Sequence, residues 1–193
     1  MMGRSDQVCD RRRALQTLVA AAAAGCVVRP LPAADRPEPD LELVDHDGLL
    51  AAVAAERGRV VVLDCWSTSC PPCVRDFPRL VALAKAHPRD VACLSLALEY
   101  EGIGTVEEVL PRVRTFLAAV GAHDVVNLVA REEADVMYRK LDLVSVPAVS
   151  VWRPDGTLAV RYDDDSAART LGRPFTYDDV EATVAQLLAT PRP

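Results

Sequence analysis

The chain has 193 residues, half of them apolar, and a formal net charge of −6 from 22 basic and 28 acidic side chains. This length and apolar content are sufficient for one domain with a substantial core. An acidic chain without a basic patch does not match a nucleic-acid surface, so we expect no nucleic-acid partner.

The first 26 residues are typical of an export signal. Basic residues 11–13 precede an apolar stretch over residues 14–24, and Cys26 follows. The basic residues also resemble a twin-arginine signal, and the residues before Cys26 resemble a bacterial lipobox, with Ala23 where Leu is usual. We therefore expect an exported protein, periplasmic or otherwise extracytoplasmic. Cys26 is a candidate for lipidation and membrane anchoring, or else it is a small residue in a signal that is cleaved or kept as an anchor.

Residues 27–40 form the next segment and contain four prolines among Ala, Asp, Glu and Arg. Such a composition predicts a stiff, solvated linker without packed structure. We expect the folded domain to occupy residues 41–193.

Strand and helix patterns alternate from residue 41 onwards. Short apolar or β-branched runs predict strands at residues 41–44, 60–65, 91–98, 125–129, 146–152 and 157–162, the last two joined by a turn at residues 153–156. Helices are predicted at residues 49–57, 71–87, 105–120, 132–141 and 177–188, the last one capped by Thr176 with Asp179 three residues on. This order predicts an α/β fold in which a central mixed β-sheet is flanked by helices.

Two cysteines lie where the strand at residues 60–65 ends and the next helix begins, in the sequence Cys70-Pro71-Pro72-Cys73. Free N–H groups and the macrodipole at a helix N-terminus favour the thiolate form of Cys70. Cys73 lies one turn deeper, so one thiol is expected to attack and the other to resolve. An isolated C-x-x-C could also be half of a metal site, but the three histidines of the chain do not adjoin it, and we expect no metal.

The context of this dithiol resembles a known family. Trp66 stands four residues before Cys70, Phe77-Pro78 follows the motif, and Val146-Pro147 precedes a later strand. With the Arg-Pro-Asp-Gly turn, these features resemble the thioredoxin superfamily and, within it, the exported TlpA/ResA-type thiol–disulfide oxidoreductases, over residues 41–188. The resemblance implies a thioredoxin-like fold and a protein-disulfide reductase that needs no cofactor. It also implies client proteins with disulfides and a membrane thiol-reducing carrier that restores the dithiol; we expect a monomer.

The resemblance assigns roles to residues around the dithiol. Asp64 falls at the position of a buried acid that could take the proton of Cys73, or it only forms a hydrogen bond with the neighbouring helix. Pro147 falls at the position of a cis-proline, which would turn the backbone of Val146 outward to pair with an extended client segment. Trp66, Pro71 and Pro72 complete the expected client-binding set.

Four further residues separate this chain from the family pattern or lie near the motif. Asp76 stands where the group commonly has Glu, and either tunes the redox behaviour of the dithiol or is a solvated helix-face acid. Ser69 replaces a bulky residue before the first cysteine, which predicts a more open and less apolar rim. Cys65 and Cys93 fall in predicted core strands, where free cysteine behaves as a small hydrophobe.

The direction of the reaction and two other functions follow from the same residues. The Pro-Pro dipeptide lacks the His of strongly oxidising relatives, which favours reduction of clients. A redox-responsive binding module, whose dithiol holds a partner, is motivated by Ser69 and the linker. A copper metallochaperone with two thiolate ligands is the third possibility, although such proteins usually offer an additional His or a wider cysteine spacing.

Overall fold

The structure of the protein is a computed structural model, which describes residues 38–190 apart from the side chains of residues 164 and 165. The predicted export signal, Cys26 and most of the predicted linker lie outside the described residues. Among residues 38–190, none of the helices has the length and apolar character needed to cross a membrane.

In the described residues 38–190, six strands form one mixed sheet at the centre of the fold. They are β1 (Glu42–Val44), β2 (Val60–Trp66), β3 (Val91–Ala97), β4 (Val126–Ala130), β5 (Ala148–Trp152) and β6 (Leu158–Tyr162). Their order is β1-β4-β3-β2-β5-β6, with parallel pairing from β1 to β2 and antiparallel pairing of β5 with β2 and of β6 with β5. The predicted mixed sheet is confirmed, and β2, which leads to the dithiol, is one of its two central strands.

Six α-helices accompany the sheet within the described part of the chain. They are α1 (His46–Ala55), α2 (Pro71–Ala86), α3 (Leu110–Val120), α4 (Ala134–Leu141), α5 (Asp164–Thr170) and α6 (Tyr177–Ala189). Helix α1 begins three residues before the predicted start because Asp45 caps it, its side chain accepting from the backbone N–H of Gly48. The first part of the predicted helix 105–120 is a separate 3-10 turn, Val106–Val109. The predicted capping of α6 by Thr176 and Asp179 is confirmed as a reciprocal capping box.

The alternation of side chains along β2 determines which residues meet the dithiol. Val61, Leu63 and Cys65 pack in one cluster with residues of α1 and α4. Val60, Val62 and Trp66 pack in the other cluster, with Cys73 of α2 and residues of α6. Because successive residues of a strand point to opposite faces, Asp64 belongs to the same face as Cys73. Burial of both faces explains why β2 is an almost continuous apolar run.

Candidate active site

The site is built around a disulfide between Cys70 and Cys73, whose Cα atoms lie 5.3 Å apart. Cys70 is the N-cap of α2, and its Sγ accepts from the backbone N–H of Cys73 at 3.3 Å. Pro71 and Pro72 occupy the first turn of α2, where a missing backbone N–H has no cost to the helix. Cys70 is half-buried and Cys73 only 2% exposed. Cys70 is therefore the more exposed of the two cysteines, and Cys73 lies beneath it.

A second loop, which begins at Val146, 76 residues after Cys70, lies next to the dithiol. The peptide bond between Val146 and Pro147 is cis, and the carbonyl oxygen of Val146 lies 3.7 Å from Cys70 Sγ. Both residues are half-buried, immediately before β5, whose Ala148 is paired with Cys65 of β2. The pairing of β5 with β2 thus brings the predicted Val-Pro loop to the sulfur that is presented to the surface.

Asp64 lies under this site, with 2% of its surface exposed. The hydroxyl of Tyr177 donates to its Oδ2, whereas its Oδ1 has no hydrogen-bond partner among the described residues. Burial raises the pKa of Asp64 from 3.8 to about 7, the hydrogen bond from Tyr177 opposes this rise, and the negative charge of Asp76 adds to it. Asp64 is therefore a buried acid that changes charge near neutral pH, on the face of the sheet that carries Cys73.

Trp66 does not lie at the surface, where a direct contact with clients would require it. It is fully buried, and its ring centroid lies 4.8 Å from that of Phe77 and 4.7 Å from that of Phe116. Edge-to-face and tilted pairs at such distances stabilise a core beyond the burial of their area. The predicted substrate contact of Trp66 is corrected accordingly: its side chain supports the site from below and is not available to a docked client.

Asp76 lies on α2, half-buried and one turn beyond Cys73. The guanidinium of Arg75 binds both of its carboxylate oxygens, at 2.9 and 2.8 Å. Its charge contributes to the raised pKa of Asp64. An influence of Asp76 on the dithiol itself stays a prediction.

The turn before Cys70 is held by a buried acid that the sequence analysis missed. Glu99 is 4% exposed and accepts from the backbone N–H of Thr68 and, at 3.0 Å, from the Thr68 hydroxyl. Arg112 of α3 donates to the same carboxylate at 2.7 Å. The available signal was an acid two residues beyond the end of a buried strand, where polar groups often serve a site.

Ser69 is exposed beside this turn and its Oγ lies 2.8 Å from Ser67 Oγ, so the rim is polar, as predicted.

A cavity of about 390 Å³ opens beside the dithiol. Its lining includes Cys70 and Val146 together with the apolar surfaces of Leu98 and Tyr138 and the carboxylates of Glu101 and Glu133. The lining of the cavity next to Cys70 therefore combines apolar and polar residues.

Cys65 and Cys93 are free and buried, as the sequence predicted. Burial is the main cause that raises the pKa of each thiol, to about 12 for Cys93 and still higher for Cys65. Neither thiol is therefore a nucleophile at neutral pH. Among residues 38–190, no group of three or more His, Cys, Asp or Glu side chains is placed to hold a metal ion.

The strand order, the dithiol at the start of α2 and the cis-proline before β5 together define a thioredoxin-like fold, which confirms the predicted fold. Three solved structures show this likeness. A secreted disulfide oxidoreductase from Mycobacterium tuberculosis is 21% identical over 69% of this chain and 85% of that one, with a TM-score of 0.51. A thiol:disulfide interchange protein from Chlorobium tepidum is 17% identical over 70% of this chain and 84% of that one, with a TM-score of 0.52. A thiol-disulfide isomerase from Corynebacterium glutamicum is 19% identical over 82% of this chain and 99% of that one, with a TM-score of 0.52. No protein-family model and no curated protein matches the sequence. At these identities the likeness establishes the fold.

Proposed function

We propose that the protein is an extracytoplasmic thiol–disulfide oxidoreductase that reduces disulfides of client proteins. The observation that carries the proposal is the Cys70–Cys73 disulfide at the N-terminus of α2, with the cis-proline loop 3.7 Å from Cys70 Sγ. The three similar structures, described as a disulfide oxidoreductase, a thiol:disulfide interchange protein and a thiol-disulfide isomerase, support this chemistry.

The reaction proceeds by two exchanges of sulfur bonds. In the reduced protein, the Cys70 thiolate attacks one sulfur of a client disulfide, forms a mixed disulfide and releases the other client sulfur as a thiolate, which takes a proton from water. Cys73 then loses its proton to Asp64 and attacks Cys70 Sγ. The bond between Cys70 and the client breaks, and the second client sulfur leaves with the electron pair. Two electrons have passed to the client, and the Cys70–Cys73 disulfide remains.

The position of each thiol in the helix supports this division of roles. Cys70 Sγ accepts from a backbone N–H in the first turn of α2, a contact that stabilises negative charge on sulfur. Cys73 is buried, so a bulky client cannot reach it. The half-buried Val146 carbonyl beside Cys70 is available to accept from the backbone of an extended client segment, in the manner of an added strand.

The cellular setting of the proposal comes from the sequence. The export-signal pattern at residues 1–26 supports a location outside the cytoplasm, with lipidation of Cys26 as the candidate anchor. Each turnover consumes the dithiol, so a membrane thiol-reducing carrier must restore it. The Pro-Pro dipeptide, which places no His beside the Cys70 thiolate, supports reduction as the direction of the reaction.

The test of this function is the capture of clients through Cys70. The Cys73→Ser variant keeps the attacking thiol and lacks the resolving one, so exported client proteins should accumulate as mixed disulfides that reductant releases. The matched Cys70→Ser variant, which keeps Cys73, should capture none. Equal capture by both variants, or no capture together with no disulfide reductase activity, would contradict the proposal, and the second result would favour a redox-responsive binding module.

A further inference from the structure

Tyr177 is the first residue of α6 and is held firmly in place. The capping box of Thr176 and Asp179 determines where the helix begins, and Val180 and Val184, one and two turns on, are fully buried. The ring of Tyr177 is 4% exposed, and its hydroxyl donates to Oδ2 of Asp64, 113 residues earlier. A buried tyrosine hydroxyl usually finds a partner, and here the partner is the acid beneath the dithiol.

The neighbouring strand supplies no competing hydroxyl to Asp64. Ser95 of β3 is paired with Asp64 in the sheet and lies on the same face. Its hydroxyl donates instead to Oδ1 of Asn127 on β4, at 3.1 Å. Within the described part of the chain, the hydrogen bond from Tyr177 is therefore the side-chain contact that restrains Asp64, and Oδ1 of Asp64 is left open.

The elements packed around Asp64 place few ionisable groups near it. Strand β5, its neighbour on one side, has no titratable side chain. On the other elements, the ionisable side chains near Asp64 are Asp76 and Cys73 on α2, Cys93 on β3, Cys65 on β2 and Tyr177 on α6. Burial and the negative charge of Asp64 raise the pKa of Tyr177 well above its ordinary value. Tyr177 thus remains a hydroxyl, and a donor, in both protonation states of Asp64.

We propose that Tyr177 is a positioning residue for the resolving step: by donating to Oδ2 it holds the Asp64 carboxylate so that Oδ1 accepts the proton of Cys73. This inference rests on the proposed function. In the disulfide form Cys73 has no proton to give, which fits the absence of a partner for Oδ1. During resolution the Cys73 S–H bond breaks, its proton passes to Oδ1, and the sulfur lone pair forms the bond to Cys70 as the client sulfur leaves. Tyr177 keeps its own proton throughout.

The two chemical steps can be separated with dithiobis(nitrobenzoate), a small coloured disulfide, at a concentration equal to that of the reduced protein. Attack by Cys70 releases the first nitrothiobenzoate, and resolution by Cys73 releases the second. In the Tyr177→Phe variant we expect the first release to keep its rate and the second to slow about fivefold at pH 7. The pH profile of the second release should shift by about one unit towards alkaline pH, because a hydrogen bond that favours the carboxylate has been removed.

The matched control is Tyr162→Phe. Tyr162 is also a buried tyrosine whose hydroxyl bonds to α6, at Thr183 and at the Asp179 carbonyl, without contacting Asp64. It should leave both releases unchanged. In an Asp64→Asn background, Tyr177→Phe should have no further effect on the second release.

Three outcomes separate the possible failures. If folded Tyr177→Phe keeps the wild-type pH profile of the second release, the role of Tyr177 is overturned and the proposed function stays intact. If the wild type shows neither release, the proposed function is overturned. Equal slowing in both tyrosine variants would show a general effect of α6 packing and would overturn the specific role. If Tyr177→Phe does not fold, the wild type is tested by NMR. A downfield Tyr177 hydroxyl proton should shift as Asp64 titrates near pH 7 in the wild type and should not shift with pH in Asp64→Asn, and a wild-type signal that does not change with pH would contradict the proposal.

Discussion

Replacement of Asp64 by Asn should remove a pH dependence of stability that the buried acid causes. Burial raises the pKa of Asp64 from 3.8 to about 7 in the folded protein. Below pH 4 both folded and unfolded chains hold the proton, and Asp64 has no effect. As the pH rises from 4 to 7 the unfolded chain loses the proton first, so the free energy of unfolding falls, and above pH 7 it is level.

The size of this effect follows from the separation of the two pKa values, which is roughly three pH units or roughly 4 kcal/mol in total. Between pH 5 and pH 8 the loss is roughly 2–3 kcal/mol. Asn can still accept from Tyr177, and its amide lacks a partner at every pH. The substitution therefore adds an offset that is independent of pH and removes the slope.

The assay is urea unfolding of the oxidised protein at several pH values, followed by tryptophan fluorescence. The wild type should lose stability from pH 5 to pH 8 relative to Asp64→Asn. Asp142→Asn is the control, because Asp142 has a 93% exposed carboxylate and a left-handed backbone that Asn tolerates; its pH dependence should follow that of the wild type. Parallel pH curves for the wild type and Asp64→Asn would refute the reasoning.

Three further predictions concern residues around the dithiol. Glu99→Ala should lower the free energy of unfolding by roughly 2–4 kcal/mol in urea titrations, because the Thr68 N–H and hydroxyl lose a buried charged acceptor. The control is Glu101→Ala at an exposed position nearby, which should change the free energy of unfolding by less than about 0.5 kcal/mol. Cys65 and Cys93 should resist iodoacetamide in the folded protein and react after denaturation, as read by mass spectrometry, and rapid labelling of either in the folded state would contradict their burial. Trp66→Ala should cost roughly 3–5 kcal/mol of stability, whereas a client-contact role alone would leave the unfolding midpoint unchanged.

Local pattern was sufficient to predict the framework of the fold. The apolar run of β2 and the Cys-Pro-Pro-Cys motif predicted a central strand that delivers a dithiol to a helix, and both are observed. Helix α5 was missed because its seven residues, Asp164–Thr170, have no apolar period and depend on a capping box of Asp163 with Ser166. The start of α1 was misplaced for a similar reason, since Asp45 as cap extends the helix beyond its apolar residues.

Contacts between distant parts of the chain were beyond the reach of sequence patterns. The hydrogen bond of Tyr177 with Asp64 joins residues 113 apart, and that of Glu99 with Thr68 joins residues 31 apart. Both depend on sheet register and helix placement, which residue type does not specify. Trp66 was assigned to the client surface by resemblance, yet it continues the inward side of β2 and packs with aromatic residues of α2 and α3. Alternation along β2 contained this information, because Val60 and Val62 lie on the same face.

The most direct test of the account is the catalysed reduction of insulin disulfides by the protein, with dithiothreitol as the source of electrons. The wild type should accelerate the reduction over dithiothreitol alone, and Cys70→Ser should abolish the acceleration because the attacking thiolate is lost. An equal rate for the wild type, Cys70→Ser and the reaction without protein would contradict the central claim that Cys70 and Cys73 exchange disulfides with client proteins.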